Sequence, residues 1–182
     1  MRKIYSDWDI PIKHYLTIIN AAEVWYEIIS PIIISLIVSS IYFGVNGTLY
    51  GLLKLRELLP ASIAILIGFT ITCISMLASS EATNIKALKE TRFGRRNING
   101  TVITLYQGML ILFSYQLTAQ VFLLLFTFFV AFILRIYANP IFMFMLMTIE
   151  VSVLLHIMFL LVRSISHIYL SLFPNKDEKH SQ

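Results

Sequence analysis

Apolar positions run almost uninterrupted along four stretches of this chain, roughly Val24–Phe43, Leu58–Ser79, Phe113–Leu134 and Ile141–Val162. Each holds about 20 residues, and at about 1.5 Å per residue a helix of that length crosses a hydrocarbon core of about 30 Å. Lipid offers nothing to pair an open strand edge, so all four are expected to be α-helices. The helical pattern also overruns the spans. Thr101 to Tyr137 contains no proline and a single glycine, Gly108, which predicts one helix of about 37 residues and about 55 Å. Ser80–Phe93 continues the second span with good helix formers as far as Gly94, and the last helix is expected to run from Ile141 to Leu172. At the front, Ile12, Tyr15, Leu16 and Ile19 follow i, i+3, i+4, i+7 spacing. That spacing fits an amphipathic lead-in over residues 1–23, or an in-plane interfacial helix with Trp8 and Tyr15 at headgroup level.

The expected architecture is all-α: a polytopic membrane protein with four transmembrane helices in an antiparallel bundle over residues 24–172, followed by a polar tail at 173–182. Composition agrees. Of the 182 residues, 58% are hydrophobic and 13% charged, with a mean hydropathy of +0.79. A soluble domain is about 45–50% apolar and about 25% charged, so an ordinary soluble enzyme, a disordered chain and a disulfide-stapled module are all excluded. The single cysteine, Cys73, cannot form a redox pair or a cysteine zinc cluster and is expected to be a packed small side chain. Asp7, Asp9, Lys13 and His14 interrupt the N-terminal segment, so no cleavable signal is expected and the first apolar run should remain as a span.

Charge placement predicts orientation. Eleven Lys and Arg residues lie before span one, between spans two and three, or after span four, against three (Lys54, Arg56 and Arg135) on the other side. By the positive-inside rule both termini and the middle loop are cytoplasmic in a bacterial inner membrane, so every helical overrun projects into the cytoplasm as a collar. The charges do not interleave with aromatic residues as a nucleic-acid groove requires, and no direct nucleic-acid binding is expected. Asn46-Gly47-Thr48 and Asn99-Gly100-Thr101 read as turn chemistry.

Small residues on span two, Ala61, Ala64, Gly68, Thr72, Ser75 and Ser79, form one continuous face and predict the helix-packing seam, with Ser35 and Ser39 of span one as its counterpart. Pro31 should kink the start of span one and free a carbonyl for Ser30 or Ser35. Span three carries Gln116, Gln120 and Thr127 on one face, either for interhelical hydrogen bonds or as the lining of a cavity. In span four, Glu150 and His156 lie nearly opposite each other around the helix. Burying a charge there is costly, so Glu150 should face protein, with a partner or as a neutral acid, or else serve proton coupling. Interfacial solvation accounts for Glu27, and His156 reads as a packed residue rather than a metal ligand.

No aspartate pair lies in the spans, and no phosphate loop, GxSxG or HExxH occurs, so the chain reads as non-enzymatic, with no cofactor. Three functional classes follow. The first is an oligomerising sensor or scaffold in which Lys86, Lys89, Arg92, Arg95 and Arg96 dock an acidic cytosolic protein partner or anionic lipid. The second is a channel or holin-like pore, and the third a small proton-coupled transporter built on Glu150. In its four spans, its charge bias and its overrunning helices, the chain resembles the membrane subunits of bacterial anti-phage systems, that of the Kiwa system among them. The resemblance implies an inner-membrane homo-oligomer that responds to membrane disturbance and recruits a cytosolic effector. It maps no functional residue onto this chain.

Overall fold

A computed structural model of the protein describes residues 7, 9–46, 48–79, 83–98, 100–136 and 139–172. Trp8, Asn99 and the 173–182 tail lie outside these residues. The elements in order are α1 (Ile10–Ile18), α2 (Ala21–Val24), a π-helical turn (Trp25–Ile29), α3 (Ser30–Asn46), α4 (Thr48–Ser79), α5 (Thr83–Glu90), β1 (Arg92–Ile98), β2 (Thr101–Thr104), α6 (Leu105–Ile136) and α7 (Pro140–Leu172). Four helical segments, Ala21–Val45, Gly51–Ser79, Leu105–Leu134 and Pro140–Tyr169, are long and apolar enough to cross a membrane. Their length and composition are those of a multi-pass membrane protein. The long helices pack α4 on α6, α6 on α7 and α7 on α3.

Local chemistry sets the boundaries. Asn139 Oδ1 accepts the Ile141 N–H at 2.9 Å, ahead of a helix whose first residue is Pro140, where a missing N–H costs nothing. Thr104 and Gln107 form a reciprocal capping pair at the head of α6: the Thr104 N–H donates to Gln107 Oε1 at 2.9 Å and the Gln107 N–H to Thr104 Oγ1 at 3.3 Å. That cap stops α6 at Leu105, so the helix predicted from Thr101 does not form. Thr101-Val102-Ile103-Thr104 is instead a strand, as four β-branched residues behind a glycine turn favour. It pairs antiparallel with β1, Ile98 opposite Thr101, and Gly100 takes φ +80° in the intervening turn. Residues 80–82 lie outside the described set; beyond them α5 is an amphipathic helix that buries Ile85 and Leu88 against Leu77, Met109 and Phe113.

The interior is layered. At the hairpin end Tyr15, Ile18, Phe93, Ile103, Leu112 and Leu160 form one core. Leu59, Ile63, Leu123 and Ile157 fill the middle, and Leu52, Met143 and Met147 close the opposite end. The small-residue face of span two is not the seam within the chain: Ala61, Ala64, Gly68, Thr72, Ser75 and Ser79 are all exposed, and an added Cβ at Gly68 meets nothing within 4 Å. Large residues make the contact instead, because Leu59, Ile63, Thr70 and Leu77 occupy the inward face. Ser35 and Ser39 are buried, and the Ser35 hydroxyl donates to the Ile32 carbonyl.

Candidate functional site

A proline and a short helix bring the charged residues of the hairpin end together. Pro31 has no N–H to give the Glu27 carbonyl four residues earlier, and its ring crowds that oxygen. The helix widens over Trp25–Ile29, where the Ser30 N–H reaches back to the Trp25 carbonyl in a π-type bond. The freed carbonyl is not taken by Ser30 or Ser35, as the sequence suggested. His156 Nδ1–H donates to the Glu27 carbonyl oxygen at 2.5 Å. With that nitrogen a donor, Nε2 of the neutral ring accepts, and the Tyr115 hydroxyl donates to it at 2.9 Å. His156 is thus a clamp between α6, α7 and the π-turn.

Glu27 as a whole residue is 1% exposed, so solvation at the interface does not account for it. Its carboxylate is met from two elements. Arg163 Nη1 donates to Oε1 at 2.6 Å, and the Tyr15 hydroxyl of α1 donates to Oε2 at 2.8 Å. The same guanidinium reaches Glu23 Oε1 through Nη2 at 2.7 Å, and Arg96 of β1 closes on that oxygen as well. Glu23 Oε2 accepts the Asn20 N–H at 2.9 Å, which fixes the turn between α1 and α2. Two carboxylates therefore face two guanidinium groups with no net charge left over, the condition under which buried ions are tolerated. Tyr15 also stacks on Tyr115, ring centroids 3.9 Å apart. Burial, and then the Glu27 carboxylate that it bonds, hold the Tyr15 phenol well above its ordinary range.

The basic stretch divides. Lys86, Lys89 and Arg92 are exposed, and Lys89 Nζ stands 5.1 Å from the Tyr106 ring centroid. Arg96 is not a free docking residue: it is committed to Glu23 and lies over the Phe93 ring at 4.2 Å. The side chain of Arg95 lies outside the described set. Gln120, fully buried, donates to Thr70 Oγ1 at 3.1 Å across α4 and α6. Gln116 and Glu150 are buried with no hydrogen-bond partner among the described residues, and His156 belongs to the charge cluster.

Sequence reasoning placed Tyr15 in the amphipathic lead-in, Glu27 at the interface and Arg96 in the docking surface, and gave Glu23 and Arg163 no part in a site. The signal joining them was faint: two acids four residues apart at the head of a span, and one arginine near the end of another. Among the described residues, no group of three or more His, Cys, Asp or Glu side chains is placed to hold a metal ion. Compared with protein-family models, curated proteins and solved structures, the chain matches none.

Proposed function

We propose that this protein is a non-enzymatic sensor or scaffold subunit of a bacterial inner membrane. Its spans form an antiparallel bundle, and its hairpin end faces the cytoplasm to present a basic surface to an acidic protein partner. One observation carries the reading: Arg163 on the last span holds Glu23 and Glu27 while Arg96 of the hairpin holds Glu23. Displacement of α7 or of the π-turn, as membrane disturbance would cause, therefore pulls directly on the element that adjoins Lys86, Lys89 and Arg92. A homo-oligomeric assembly and a role in anti-phage defence belong to the same proposal. They rest on the likeness in architecture, and on the exposed small-residue face of α4 as a contact surface.

A pore between copies is less well supported, because Gln116 and Gln120 are fully buried within one chain and do not offer a lumen lining. The test is the triple variant Lys86→Glu, Lys89→Glu, Arg92→Glu, purified in mild detergent from its native host. Loss of a co-purifying cytosolic protein is expected. Unchanged capture overturns the docking role. A single cysteine at Glu90 in a Cys73→Ser background serves as the orientation control and should be labelled only from the cytoplasmic side.

A further inference from the structure

Each nitrogen of the Arg163 guanidinium has its own partner. Nη1 goes to Glu27 and Nη2 to Glu23, while Nε–H donates to Nε2 of His167, one turn further along α7, at 3.4 Å. A guanidinium can only donate, so this Nε2 accepts, and an imidazole that accepts there is neutral. The half-buried His167 ring also meets the hairpin. It lies edge-on to Phe93 with ring centroids 5.3 Å apart, and Arg96 stands over the same Phe93 ring at 4.2 Å.

His156 and His167 answer a proton differently. Opposite His156 Nε2 stands the Tyr115 hydroxyl, which can turn its hydrogen aside and accept from a protonated ring. Arg163 cannot do this, so a protonated His167 sets N–H against N–H and cation against cation. Each carboxylate oxygen nearby already has a donor. Glu27 Oε1 and Oε2 accept from Arg163 and Tyr15, Glu23 Oε1 from Arg163 and Arg96, and Glu23 Oε2 from the Asn20 N–H. Of the other elements packed on α7, α5 has Lys86, Lys89 and Glu90 exposed, and α3 carries no acidic or basic residue. The Arg95 side chain of β1 lies outside the described set.

Two carboxylates and two guanidinium groups balance only while His167 carries no charge. We propose that His167 is a proton-operated latch for the hairpin. Its Nε2 takes a proton from water, the bond from Arg163 breaks, the ring swings away from Phe93, and β1 comes off α7. The hairpin is the part that gives. Among the described residues it joins the charge cluster through Arg96, whose Nη1 is buried without a partner. Docking is at full strength where a free imidazole is neutral, above about pH 6.5, and weakens as pH falls below that value. The latch works without the proposed partner surface, so the two readings fail separately.

Pulsed electron paramagnetic resonance on the full chain in phosphatidylcholine nanodiscs tests it. Spin labels go on Asn97→Cys and Ser166→Cys, both exposed positions, in a Cys73→Ser background. At about pH 8 one distance population is expected, and at about pH 5 a second, longer one that reverses on return, these values lying either side of the imidazole's ordinary pKa of about 6.5. His167→Gln keeps an acceptor for Arg163 but cannot ionise, and should hold the short distance at both. His167→Arg carries a permanent charge and should show the longer population at both. Identical distances at the two pH values in the unsubstituted His167 chain, or a shift that survives His167→Gln, overturns the proposal. Should His167→Arg fail to fold, those two comparisons decide the question alone.

Discussion

Arg163 and Glu27 stand 136 positions apart in the chain and 2.6 Å apart in space, with the carboxylate side chain 2% and the guanidinium side chain 12% exposed. In water such a pair contributes little. Here each ion has lost most of its hydration, and only mutual contact makes the burial tolerable. The same guanidinium holds Glu23, so one side chain ties the last span to the first and, through Arg96, to the hairpin.

Arg163→Met strands Glu27 without its charge partner and should cost about 3–5 kcal/mol, the range for breaking a buried pair from one side. Adding Glu27→Gln removes the stranded charge and should restore part of the loss. Thermal unfolding in detergent reads both, and a double variant no more stable than Arg163→Met would show that the pair contributes no electrostatic term.

Tyr15→Phe removes a buried donor to a carboxylate and should weaken α1 docking by about 1.5–3 kcal/mol. The folded phenol is held above its ordinary range by burial and by Glu27, so docking is at full strength below the ordinary tyrosine value of about 10. It weakens as pH rises past that point, since an undocked Tyr15 ionises first. Alkaline titration of tyrosinate absorbance should show one fewer late-ionising phenol in Tyr15→Phe, and an unchanged titration would place Tyr15 in solvent.

Arg96→Ala cuts the tie between hairpin and α2 without touching a span. Amide hydrogen exchange across Arg92–Thr104 should accelerate while the α4, α6 and α7 amides keep their protection. Uniform acceleration would mean that the hairpin is not a separable unit.

Gly108→Ala and Gly68→Ala should behave oppositely. A Cβ at Gly108 would come within 2.6 Å of the Phe93 ring, whereas one at Gly68 meets nothing. Phe93 is part of the hairpin-end core, so Gly108→Ala should destabilise by about 1–3 kcal/mol. Gly68→Ala should leave the monomer unaffected or slightly stabilised through helix propensity. Equal melting temperatures for the two variants would contradict the packing described.

How much was legible can be traced residue by residue. The cap at Thr104 and Gln107 was present in the sequence, as was the β-branched run behind Asn99-Gly100. Both were outweighed by a long proline-free stretch whose periodicity continues through them. The small-residue face of α4 was visible as a stripe, but a stripe does not say which way it points. Hydrophobicity cannot decide that in a span, because the lipid-facing and protein-facing sides are both apolar.

The chain alone determined that there are four helices fit for a membrane, and roughly where they lie, because hydrocarbon selects for length and apolarity along one local segment. Only the tertiary structure decided which ions meet. Glu23, Glu27, Arg96, Arg163, Tyr15 and His156 come from α2, the π-turn, the hairpin, α7 and α1. Ion pairing acts through space over a few ångströms, and no spacing along the chain encodes a distance set by how helices pack.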